Sequence, residues 1–154
     1  MDERMTAGEL QTVREYLGLT TDALAGILGV RPDTVRRWES GRDPIPHRVR
    51  EEVEEVEAFT ASIAGEVVAA LHDQATPAVL VYRTDREMHA ARPDTAHLTA
   101  RWWRHVVARA AHEIPGLVIA GAGDIRGRTR GGSARVGDFF VGPGGPSPRS
   151  HATP

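Results

Sequence analysis

The sequence predicts a mainly α protein: an N-terminal bundle with a long fourth helix, then a small α+β module, then a disordered C-terminal tail. Three observations carry this. Through residue 72 the apolar side chains recur every three or four positions between glycine and proline stops. At Thr76-Pro77 the period changes, and short β-rich runs appear on either side of one further helical stretch. From Gly121 onward, nine glycines and four prolines occupy 34 residues, too little apolar surface to offset the entropy of ordering. The expected divisions are therefore 1–72, 76–120 and 121–154.

The helices can be justified in order. Residues 6–17 open on Thr6 with Glu9 three positions later, a capping box, and set Leu10, Val13 and Leu17 on one face before Gly18. Thr21 is a candidate cap for a second short helix with Leu24, Ala25 and Leu28 inward, stopped by Gly29. Pro32 suits the first turn of a third, whose buried stripe is Val35 and Trp38 and whose end is Ser40-Gly41. After the rigid Asp43-Pro44-Ile45-Pro46 connection, residues 46–72 form the long helix, with Val49, Val53, Val56, Thr60, Ile63, Val67 and Ala70 as a seam in steps of three and four. That seam either packs back on the first three helices or continues into a dimer interface. Glu51, Glu52, Glu54, Glu55 and Glu57 form its solvated side.

In the second part, Ala78-Val79-Leu80-Val81-Tyr82 is a strand, a polar stretch of about a dozen residues follows, and residues 95–113 are helical. Leu98, Trp102, Val106 and Ala110, with Trp103 and Val107 beside them, make a wide apolar stripe. Leu117-Val118-Ile119-Ala120 supplies a second strand. So small a core would complete itself against the long helix or a second copy, and Val79, Val81, Trp102 and Val106 are the expected dimerisation residues.

Composition narrows the function. Of the 154 residues, 40% are hydrophobic and 26% charged, there is no cysteine, and no apolar run reaches the roughly 18 to 20 residues of a membrane span. The N-terminus has neither the basic nor the apolar region of a secretory signal, so a cytoplasmic, nucleoid-associated location is expected. The net charge of -2 conceals a division: residues 1–76 carry 8 arginines against 15 acids, and 77–154 carry 11 against 6. Within the acidic half, Arg31, Arg36, Arg37, Arg42, Arg48 and Arg50 crowd into twenty positions holding three acids, a concentration of fixed positive charge suited to phosphate.

A helix, a tight turn at Leu28-Gly29-Val30-Arg31 and a polar third helix form the arrangement that sets one helix in the major groove while its neighbour crosses the backbone. The stretch Thr20 to Val30, followed by Thr34-Val35-Arg36-Arg37-Trp38-Glu39-Ser40-Gly41-Arg42, resembles the phage-repressor-like (Cro/C1, XRE-type) helix-turn-helix family over about residues 6–72. Trp38 to Arg42 with Pro46, the acidic long helix, the Val-Leu-Val-Tyr-Arg strand and the Trp102 helix also resemble the anti-CRISPR-associated autorepressors and related YdiL-like regulators, to about residue 120. The resemblance implies a homodimeric regulator, a repressor of its own promoter, bound to an inverted repeat in double-stranded DNA.

Carried over by position, base contacts fall to Pro32, Asp33, Arg36 and Arg37. Arg37 suits guanine O6 and N7, Asp33 a cytosine amino group, and Pro32 a thymine methyl. Phosphate contacts fall to Thr21, Arg31, Arg42 and Arg48, with Thr21 standing where the family has a longer glutamine. Arg36 or Arg37 could instead pair with Asp33 or Glu39 on the helix surface. Trp38 reads as core and Glu39 as an internal acceptor.

Nothing in the pattern suggests an enzyme. His97, His105 and His112 fall on one helical stretch about 11 Å apart, too far to share a metal without another segment, and Gly121-Ala122-Gly123-Asp124 lacks a following helix former for a phosphate loop. No cofactor or metal is expected. The alternative is a helix-turn-helix antitoxin holding a toxin protein through its C-terminal part. RNA is a further candidate partner, read by arginines 126, 128, 130 and 135 of the tail.

Overall fold

The computed structural model describes residues 4–128, with side chains through Ile125. Seven helices and a two-stranded sheet follow in the order α1 (Ala7–Tyr16), α2 (Thr21–Leu28), α3 (Pro32–Glu39), α4 (His47–Leu71), β1 (Ala78–Leu80), α5 (Asp85–Ala91), α6 (Ala100–Glu113), β2 (Val118–Ala120) and α7 (Ala122–Arg128) among the described residues. The fold is mainly helical, as the periodicity predicts.

Each start has a local cause. Thr6 accepts from the Glu9 N–H at 3.1 Å, and Thr99 caps α6 by accepting from Trp102 N–H at 3.1 Å. For α2 the cap is Thr20, which accepts from Ala23 N–H at 3.1 Å; Thr21 is the first helical residue, a shift of one position from the expected cap. The polar stretch after β1 is helix α5, whose Thr84 accepts from Glu87 N–H at 3.2 Å while the Glu87 carboxylate accepts from Arg83 N–H at 3.2 Å. Thr-x-x-Glu is a legible start signal that the absence of apolar periodicity obscured. Helix α6 begins at Ala100, not near 95, because Pro93–Thr95 forms a separate 3-10 turn closed by Thr95 Oγ1 donating to Arg92 O at 2.8 Å.

The strands are parallel, with Ala78 opposite Val118 and Leu80 opposite Ala120. Parallel pairing demands a long crossover, and α5 with α6 supplies it. Residues after 120 were expected to lack structure, but α7 forms there: Asp124 accepts from Gly121 N–H at 2.8 Å, and Ile125 buries against Ala120, Ala78 and Leu80. The rest of the expected tail, residues 129–154 with Arg130 and Arg135, lies outside the described residues.

One core connects Met5 to Ile114, so the two parts that the sequence separates near 72–76 share it. Helix α4 is the shared wall. Its first half buries Val49 and Val53 and is tied to α2 by Arg48 donating to Leu28 O at 3.3 Å. Its second half buries Thr60, Ile63, Ala64, Val67 and Leu71, and Thr60 Oγ1 accepts from Trp102 Nε1 of α6 at 3.0 Å. The seam thus ends on Leu71 and leaves Ala70 exposed, because a straight helix drifts from a seven-residue repeat and the next inward position is one residue later. Trp103 Nε1 donates to Leu80 O at 2.8 Å, fastening α6 to the sheet.

Candidate nucleic-acid interface

The site is assembled from the α2–α3 junction. Gly29 stands at φ 66°, a conformation cheap only for glycine, and there the α2 carbonyls are closed by Val30 N–H donating to Ala25 O at 3.0 Å. Two residues later Arg31 is in extended conformation and Pro32 opens α3. Because Val35 and Trp38 are buried, the 3.6-residue period turns Asp33, Arg36 and Arg37 to solvent on the opposite side. Pro32 is half-buried at the entry.

The far end of α3 is closed in the same manner. Gly41 at φ 77° lets Arg42 N–H donate to Arg37 O at 3.0 Å, which brings Arg42 back beside the helix terminus. Arg31 and Arg42, one at each end of α3, are exposed and make no ion pair among the described residues. Arg48 is differently placed: it donates to Leu28 O and to Glu52 at 3.0 Å, so it joins α4 to α2. Thr21 is half-buried in the first turn of α2, the positive end of that helix.

Glu39 and Trp38 face inward, as expected. Arg14 of α1 donates to Glu39 through Nε at 2.6 Å and Nη2 at 3.1 Å, and through Nη1 to Leu19 O at 3.0 Å. The hydrogen bond to Glu39, working against the desolvation of burial, holds Arg14 above its ordinary basicity. This pair ties α3 to α1 and to the turn that follows α1.

The outward arginines pair on the surface, the alternative to free base-reading side chains, but with other acids. Arg36 Nη2 lies 3.5 Å from Asp22 Oδ1, on α2. Arg37 forks onto Asp43, with Nε 3.0 Å from Oδ2 and Nη2 3.3 Å from Oδ1. Neither uses Asp33 or Glu39. Helical spacing could not reveal Asp43, because the glycine turn at 41 brings it back to a residue six positions earlier.

The expected dimerisation residues lie elsewhere in kind. Val79, Trp102 and Val106 are each 0% exposed inside the single chain, and Val81 is half-buried; they fill the core between sheet, α4 and α6. Among the described residues, the large apolar side chains left outside are Tyr16, Phe59, Val118 and Ile119. His105 faces Tyr16 O at 3.1 Å and His97 packs against the Phe59 ring. Among the described residues no group of three or more His, Asp or Glu is placed to hold a metal ion. No helix there is long and apolar enough to cross a membrane.

A helical pair joined by a glycine turn, with one helix projecting a charged face, defines a helix–turn–helix arrangement supported by a long helix and a small β-α-β unit. The Aca2/YdiL-like family model matches residues 5–117, and the chain belongs to that family, whose membership points to a regulatory role. No curated protein matches the sequence.

Proposed function

We propose that the protein is a homodimeric, sequence-specific DNA-binding repressor of the phage-repressor-like, XRE-type kind, binding an inverted repeat and repressing its own promoter, with no catalytic activity. The observation that carries this reading is the outer face of α3, where Asp33, Arg36 and Arg37 stand between Arg31 and Arg42. An eight-residue helix is about 12 Å long, and the major groove is about 12 Å wide. With α3 in the groove, Arg36 and Arg37 reach base edges, Asp33 accepts from a cytosine amino group, and Pro32 meets a thymine methyl. Arg31, Arg42 and Thr21 contact phosphates on either side, and their contribution is sequence-independent and salt-sensitive. Dimerisation then requires apolar side chains outside the core, and β2 leaves Val118 and Ile119 exposed on opposite faces of the sheet. Repression follows from exclusion of polymerase.

The test is a footprint of the full chain on the DNA upstream of its own gene, with a scrambled duplex as competitor. Two protected half-sites centred about 10 to 11 base pairs apart are expected. Protection no better than the scrambled control would overturn this reading and direct attention to RNA or a toxin partner.

A further inference from the structure

Two kinds of arginine surround α3: Arg31 and Arg42 without an ion pair among the described residues, and Arg37 held by a carboxylate along one edge. A guanidinium has two edges that can form paired hydrogen bonds, one through Nε and a terminal nitrogen, the other through both terminal nitrogens. Asp43 lies against the first, with one hydrogen bond from Nη2 to Oδ1 at 3.3 Å and Nε in ion-pair contact with Oδ2 at 3.0 Å. The second has no partner among the described residues, on a side chain that is about half exposed, and its two parallel N–H groups match guanine O6 and N7. The backbone that carries the carboxylate is restrained: Asp43 N–H donates to Arg37 O at 3.3 Å and Pro44 restricts its conformation.

We propose that Asp43 is a positioning residue that determines specificity: it aims the open edge of Arg37 at a base and, by offsetting its charge, prevents Arg37 from serving as a general phosphate clamp. This rests on the DNA-binding reading above. A neutralised but oriented arginine contributes little to random DNA and keeps its full contribution at a guanine. Discrimination thus depends on an acid that touches no base.

The experiment compares wild type, Asp43→Asn, Arg37→Gln and the double variant, all full-length. The probes are a duplex selected by the wild type from a randomised pool and a scrambled duplex of equal composition, across a salt series. Asp43→Asn is expected to bind the scrambled duplex about three- to tenfold more tightly, with a salt slope steeper by about one ion, and to lower the selected-to-scrambled ratio about tenfold. In the Arg37→Gln background the same substitution should leave that ratio unchanged, which separates aiming of Arg37 from general removal of a negative charge. Asp43→Glu retains the charge and should keep the ratio within about threefold of wild type, providing a second readout should the asparagine variant fold poorly. An unchanged ratio in Asp43→Asn, or an equal fall in the Arg37→Gln background, would overturn the role of Asp43 alone. Failure of the wild type to select any sequence would overturn the DNA-binding reading and this assignment together.

Discussion

Glu39 sits in the last turn of a helix whose other charged residues face water, yet its carboxylate is 11% exposed and wholly engaged with Arg14. Removing one member of so enclosed a pair leaves an uncompensated charge, so Glu39→Gln should cost on the order of 2 to 4 kcal/mol in urea unfolding, more than the loss of an exposed ion pair. The proposed reading residues should behave in the opposite way. Arg37→Ala should leave the unfolding midpoint nearly unchanged but weaken binding by about 1 to 3 kcal/mol and relax base choice at one position. Arg42→Ala should weaken selected and scrambled duplexes alike and reduce the salt slope by about one, both measurable by titration at several salt concentrations. Much at this scale was legible beforehand: Trp38 and Glu39 point inward, and Asp33, Arg36 and Arg37 point outward, because a 3.6-residue period decides both. The ion partners were not legible. Asp22 and Asp43 reach their arginines across a turn, and helical spacing carries no information beyond the helix end.

Helix α5 shows what a sequence reading loses at the scale of elements. Its seven residues bury Met88 alone, so no apolar stripe marks it, and it is held by the Thr84 cap together with Asp85, which accepts from Ala100 N–H at 2.8 Å, and His89, 2.6 Å from Leu98 O. Thr84→Ala should therefore cost about 1 kcal/mol and show first as loss of amide protection across residues 85–91, while α4 stays protected. The long helices were legible because each buries a continuous stripe. The register of α6 was misplaced by five residues because a 3-10 turn at Pro93–Thr95 imitates an earlier helical start. The small β-α-β unit was legible as strand, helix and strand, although the Trp102, Val106 and Val79 side chains that seemed suited to a second copy are consumed by this chain's own core. Periodicity identifies an apolar face without saying what covers it.

At the scale of the whole molecule, the continuous core encloses a phenol. Tyr82 is 6% exposed, and its hydroxyl has no hydrogen-bond partner among the described residues. Burial pushes its pKa above the ordinary value, with nearby Arg92 opposing the shift. For an acid whose folded pKa is raised, the unfolded chain loses its proton first. The stability contribution of the neutral phenol is thus complete below about pH 10 and declines as pH rises beyond it. Tyr82→Phe should flatten that alkaline decline in thermal melts and, at neutral pH, cost nothing or add up to about 1 kcal/mol, since an unsatisfied buried hydroxyl is removed. A clear loss at neutral pH would mean that the hydroxyl has a partner.

Helix α4 runs unbroken for 25 residues, with one half against the α1–α3 group and the other against α6. At 1.5 Å per residue it is a shaft about 37 Å long. A tilt of about 5° at one end, acting over the whole length, would swing the far end by about 3 Å, close to the rise of one base pair. In the proposed dimer, a contact at the sheet end therefore sets the aim of α3, and one residue inserted into the shaft would rotate the two ends by about 100° relative to each other.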